Sequence, residues 1–170
     1  VIEIKRRQYL ELENLALGAM APLTGFMTED QFNGVVDDMR LPTGELFPLP
    51  VVLDLNAEQA SHAERAGRLT LAFKGDEVGE VQVESVFSCD KPAVAQKVFG
   101  TGDIAHPGVN HWLNMEDHFA GGAVHLHRRS NMEFSSYDMT PAETQSYFAT
   151  QGWETVAGFQ TRNVPHKAHE

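Results

Sequence analysis

The sequence predicts two fold classes in series. A mainly β, barrel-like domain with helical inserts runs through about residue 135, followed by a linker helix over 136–153 and the opening of a parallel α/β domain over 154–170. Three observations predict this. Short apolar runs punctuated by Gly and Pro turns dominate up to about residue 130, the pattern of an all-β barrel or sandwich. After it come a capped helix, a short β-branched run and a polar loop, the rhythm of an α/β unit. The run Val156-Ala157-Gly158-Phe159 then leads directly into Gln160-Thr161-Arg162-Asn163, donors of the kind that meet anions where a strand ends and a helix begins.

The elements follow in order. Leu10, Leu12, Leu15 and Ala16 form an apolar stripe for a short helix ended by Gly18 and Pro22. Thr28 with Gln31 makes a capping box, and Phe32, Val35, Val36 and Met39 are the face that the next helix should bury. Pro42-Thr43-Gly44 is a turn, and Leu49–Leu55 reads as a strand whose start, between Pro48 and Pro50, lies at an edge or bulge. Leu69, Leu71 and Phe73 alternate, Lys74-Gly75-Asp76 turns the chain, and Val81, Val83 and Phe87 carry the return. Asp90 caps a helix through Ala93, Val94 and Val98, stopped by Gly100. Gly121-Gly122 precedes a last strand, Val124–His127, before a polar stretch from Arg128 to Ser136. Thr140-Pro141-Ala142-Glu143 is a helix start, and Gly152 is the matching stop.

Composition narrows the function. With 13 Lys and Arg against 24 Asp and Glu, the chain carries a formal charge of -11, which argues against nucleic acid as the main partner. Small anions remain open, because a local cluster of donors outweighs a distant acidic surface. The single Cys89 makes neither an internal disulfide nor a thiolate metal site. With no signal-like start and no long apolar run, a cytoplasmic protein without membrane contact is expected. Val1 and Glu170 both read as lying inside elements, so the α/β unit should be truncated and should need a continuation to complete its sheet.

The candidate residues cluster at the end. His166 and His169, three apart, share a helix face and can donate to phosphate oxygens beside a helix N-terminus. They fit a zinc-protease helix poorly, with Lys167 between them where that motif wants a glutamate and a spacing of four, so no metal site is expected. Arg162 offers a planar fork to a tetrahedral oxyanion, or else a salt bridge to one of the many acids. Gln160 and Asn163 either contact an anion or brace the loop, and Lys167 either faces solvent or reaches a phosphate. Thr101-Gly102-Asp103 and His106-Pro107-Gly108 read as tight loops beside a cleft or junction, or as turns and caps; His125, His127 and Arg128-Arg129 read as a solvated strand edge.

Gln160-Thr161-Arg162-Asn163 with His166-Lys167-Ala168-His169 resembles the opening of the catalytic domain of ATP sulfurylases, the sulfate adenylyltransferases. Ala21-Pro22-Leu23-Thr24-Gly25-Phe26-Met27, then Met39-Arg40-Leu41-Pro42 and Phe47-Pro48-Leu49-Pro50, and finally Val98-Phe99-Gly100-Thr101 with His106-Pro107-Gly108-Val109, resemble the family's amino-terminal domain in the family's order. The resemblance implies a PUA-like β domain followed by a Rossmann-like α/β nucleotidyltransferase domain. It implies transfer of an adenylyl group from ATP to sulfate, giving adenosine 5'-phosphosulfate and pyrophosphate or the reverse, with Mg2+ accompanying the nucleotide. By that likeness Gln160 and Arg162 hold sulfate, Thr161 and Asn163 order sulfate and the α-phosphate, and His166 and His169 meet the ATP phosphates and the departing pyrophosphate. Many members place proline directly after the asparagine and arginine between the histidines; here Val164-Pro165 and Lys167 stand. A homo-oligomer and the remainder of the catalytic domain are expected as partners. Alternatives are a nucleotidyltransferase with another acceptor, a PUA-like RNA-binding module, and an enzyme fold kept as a scaffold.

Overall fold

The structure is a computed structural model that describes residues 1–133, 135–164 and Lys167, with Ser135 described for its backbone alone. Among the described residues, seven strands and six α-helices run in the order β1 (Ile2–Glu3), α1 (Arg6–Ala16), β2 (Gly25–Phe26), α2 (Glu29–Asp38), β3 (Leu53–Leu55), α3 (Ala57–Ala66), β4 (Arg68–Phe73), β5 (Asp76–Gln82), β6 (Ser85–Phe87), α4 (Lys91–Phe99), α5 (Pro107–Leu113), β7 (His118–Leu126) and α6 (Pro141–Gln151). A one-turn 3-10 helix, Ser135–Tyr137, stands between β7 and α6.

β7 is the spine of the sheet. It pairs antiparallel with β3 and β6 through its first half, and both contact Phe119 and Ala120, so they occupy its opposite edges. Its second half pairs with β2 through Gly122 and Ala123 and with β5 through Val124 to Leu126. One strand therefore exchanges both of its neighbours at Gly121-Gly122, which curls the sheet toward a barrel. The two glycines are inside the strand, not ahead of it as the sequence pattern suggested. A side chain would have no room there. A Cβ on Gly122 would overlap the Gln82 carbonyl oxygen, and one on Gly121 would overlap that of Met27. Gly122 also has φ +147°, a conformation other residues rarely adopt.

β4 and β5 form a hairpin closed by Lys74-Gly75, both at positive φ, as a two-residue turn matching strand twist requires. β1 adds to β4 in parallel, giving Ile2-Glu3 a place in the sheet. The predicted strand Leu49–Leu55 shortens to Leu53–Leu55, because Pro50 can donate nothing to a ladder. Two helices were not foreseen. α3 starts from an Asn56–Gln59 capping box, and α5 starts with His106 as its cap and Pro107 in its first turn.

The buried hydrophobic core among the described residues runs from Ile2 to Ala120, with Val124, Leu126 and Met132 packed against it. Phe32, Phe87, Trp112 and Phe119 form one aromatic cluster with ring centroids 5.2–6.2 Å apart. Tyr9 stacks on Phe73 at 4.6 Å. Burying each such ring stabilises the fold by roughly 1.5–3 kcal/mol. Met39, expected to face the core, is instead the left-handed C-cap of α2 and is exposed.

Past the barrel the character changes. α6 has the predicted start, with Thr140 accepting from Glu143 N and Glu143 reaching back to Thr140 N at 2.7 Å. It buries no residue. Tyr147, Phe148 and Trp153 contact one another instead, with centroids 5.8–6.4 Å apart. The expected strand from Glu154 to Phe159 is not formed, and Val156 and Phe159 are exposed. A strand exists only with a neighbour to accept its ladder, and no described edge is offered to this one.

Candidate functional site

The six residues singled out by sequence fall into two groups. Gln160, Arg162 and Asn163 are exposed and Thr161 is half-buried. Thr161 Oγ1 accepts from Asn163 N at 3.0 Å and donates to Asn163 O at 3.3 Å, so these two residues close a small turn on themselves. Arg162 stands between these two residues in the chain and is exposed. Among the described residues no acid pairs with Arg162. His166 and His169 lie outside the described residues, so their meeting with the donor turn is not part of this geometry. Lys167 is exposed. A guanidinium, two amides and a hydroxyl make a set of neutral and cationic donors suited to a tetrahedral anion, with no general base among them.

The other sequence candidates take structural roles. His106 Nδ1 accepts from Gly108 N and Val109 N at 3.2 and 3.3 Å, capping α5. Thr101 Oγ1 and Asp103 Oδ1 accept from Asp103 N and Ala105 N in successive turns. β7 ends at Leu126, so His125 lies in the strand and His127 just past it; their ring centroids are 5.4 Å apart, and His127 Nε2 stands 3.9 Å from Glu80. Among the described residues no group of His, Cys, Asp and Glu is arranged to hold a metal. Burial pushes the Cys89 thiol up to about 11, which makes it an inert half-buried group at neutral pH.

Two constellations were missed by sequence reasoning. The first is an apolar cavity of about 260 Å³ between α4, α5 and the chain entering β3, lined by Leu49, Val51, Val94, Val98, Phe99 and Trp112. Gly108 of the predicted loop also lines it. The Arg7–Glu11 pair, at 3.0 Å, and His111 add polar groups to its lining. Desolvation raises the Glu11 carboxyl above its ordinary range, against the pull of Arg7. Desolvation lowers His111, and Arg7 lowers it further.

The second lies where the barrel meets α6. Tyr9 OH donates to Glu13 Oε1 at 2.8 Å and accepts from Ser130 N at 2.7 Å. Arg129 donates to the same Glu13 oxygen through Nε at 2.8 Å, and through a second nitrogen it pairs with Asp138. Burial pushes the Tyr9 phenol up to about 12. The two carboxylates hold Arg129 firmly protonated, its pKa raised. Sequence carried one faint signal of this site: Tyr9 and Glu13 stand four apart on the apolar side of α1. Nothing local announced that Arg129 would meet them.

Known proteins resemble the chain along two successive stretches. The model of the PUA-like domain matches residues 1–129, and the ATP-sulfurylase model matches residues 135–170. Proteins named sulfate adenylyltransferase are similar over nearly the whole chain. The one from Symbiobacterium thermophilum is 40% identical over 170 residues, 99% of this chain and 43% of its own length. That of Pyrococcus abyssi is 36% identical over 169 residues, 99% of this chain and 44% of its own. The chain thus spans less than half the length of these curated relatives. Among solved structures, a hexameric APS kinase from Thiobacillus denitrificans superposes with a TM-score of 0.66 at 25% identity, over 89% of this chain and 26% of that one. The curled sheet, its helices and the match over residues 1–129 agree with one another, and residues 135–170, matched by the ATP-sulfurylase model, follow that domain: the chain belongs to the PUA-like domain family.

Proposed function

We propose that this chain is the amino-terminal part of a sulfate adenylyltransferase, dividing near residue 135 into a PUA-like domain, a linker helix and the start of a Rossmann-like catalytic domain. The observation that carries the reading is the donor turn Gln160–Asn163 inside the stretch matched by the ATP-sulfurylase model. In this reading a sulfate oxygen attacks the α-phosphorus of ATP, the α–β anhydride bond breaks, and pyrophosphate leaves. Adenosine 5'-phosphosulfate is the other product, and the reverse reaction makes ATP.

Sulfate is already a dianion at neutral pH and needs no base. What the reaction requires is fixed positive charge and dipoles that bring two anions together in line. Gln160 and Arg162 hold sulfate, Thr161 and Asn163 order the α-phosphate side, and His166 and His169 meet the phosphates and the charge growing on pyrophosphate. The donor set contains no carboxylate, so it suits phosphate and sulfate oxygens rather than a bare cation. Magnesium would come with the nucleotide, neutralising its phosphates. The remaining length of such a protein supplies the sheet against which Val156–Phe159 would pair, and the assembly with further copies that is expected of it.

The test is to join this chain to the remaining length of the Symbiobacterium relative and measure sulfate-dependent pyrophosphate release. Arg162→Ala should lower kcat/KM for sulfate by about 2–4 kcal/mol in transition-state terms while ATP binding changes little. An unchanged kcat/KM for sulfate would refute the assignment of Arg162. The 170-residue chain by itself should show no turnover, because a segment that is not part of a sheet cannot preorganise its donors. Turnover with carboxylate or amine acceptors in place of sulfate would favour a different nucleotidyltransferase.

A further inference from the structure

We infer that Arg129 is a positioning residue, a latch that fixes the direction in which α6 leaves the barrel. It ends the stretch matched as PUA-like, and Asp138 belongs to the stretch matched as ATP-sulfurylase. Its two pairs therefore straddle the boundary. One side is anchored in the barrel, where Glu13 is buried and also receives the Tyr9 hydroxyl. The other side is Asp138, two residues before the Thr140 cap of α6. The planar guanidinium sets the angle between its two partners, which a flexible ammonium cannot do.

The latch matters because no described side chain of α6 is fully buried. Pro141, Thr144 and Phe148 are half-buried, and an open cleft lined by Leu10, Leu17, Met139 and Pro141 separates the start of the helix from α1. Among the described residues no fully buried apolar side chain joins α6 to the barrel, apolar packing being the usual determinant of how two elements are oriented. The bridge through Arg129 then carries the direction of α6. Whatever follows α6, including the donor turn, inherits that direction. The inference rests on this geometry and not on the proposed reaction, so either can fail without the other.

Spin labels at Glu64→Cys on α3 and Gln151→Cys at the end of α6, in a Cys89→Ser background, report the angle as a distance distribution. The intact chain should give one narrow peak. Asp138→Asn should lose it while the barrel melts unchanged, since Glu13, Tyr9 and Arg129 keep their contacts with one another. Arg129→Gln should lose it as well. Arg129→Lys should fail to restore it although the charge is kept, an outcome that general charge balance would not produce. A peak equally narrow in Asp138→Asn, or a broad one in the intact chain, would overturn the inference. Should Arg129→Gln fail to fold, Asp138→Asn decides alone, because Asp138 is exposed and contributes nothing to the core.

Discussion

The barrel and the segment that follows it are built from comparable residues and behave oppositely. Val81 and Phe119 are fully buried, whereas Val156 and Phe159 stand exposed. Both regions have well-formed helix caps and apolar side chains at suitable spacing. What separates them is partners. β7 pairs with four other strands, while the run at Val156–Phe159 forms no strand. The difference teaches that an apolar, β-branched run is a request for a neighbour, and that the neighbour decides whether it becomes a strand.

That contrast can be broken most severely at the spine. Gly122→Ala should cost more than about 4 kcal/mol, because the added Cβ meets backbone rather than a movable side chain. The cooperative barrel melt should vanish in circular dichroism; a near-normal melting temperature would mean that β7 does not exchange its neighbours as described. Phe119→Ala, in the aromatic cluster, should destabilise by about 3–5 kcal/mol. Urea titration measures it, and an effect below 1 kcal/mol would contradict the packing.

The buried hydroxyl of Tyr9 sharpens the comparison through pH. Its folded pKa of about 12 lies above the ordinary 10.0, so below pH 10 its contribution is complete. From pH 10 to about 12 the unfolded phenol ionises while the folded one does not, and stability falls as pH rises. A shift of this size corresponds to roughly 3 kcal/mol. Tyr9→Phe should abolish the phenol titration near pH 12 and flatten that alkaline loss of stability. Thr140→Ala removes a cap worth about 1 kcal/mol, but from α6 alone. Amide exchange should quicken in α6 and stay unchanged in β7. Val156→Ala, last and smallest, should change stability by less than about 0.5 kcal/mol, since the side chain is exposed. A larger loss would show that this segment is docked after all.

The sequence by itself determined what is decided within four residues. Thr28 with Gln31, Thr140 with Glu143 and the Lys74-Gly75 turn each set a local conformation through hydrogen bonds or φ preference, and each stands in the structure. The Asn56–Gln59 box and the His106-Pro107 start of α3 and α5 were equally local and went unread. That Gln160, Thr161, Arg162 and Asn163 carry hydrogen-bond donors was also legible, because donor capacity belongs to the side chains and not to their surroundings. The tertiary structure decided the rest. That Gly121-Gly122 lies inside a strand follows from partners drawn from four distant segments. That Arg129 reaches Glu13 depends on closing 116 residues of chain. Such contacts leave no periodicity behind, since their energy is gained only after the chain has closed on itself.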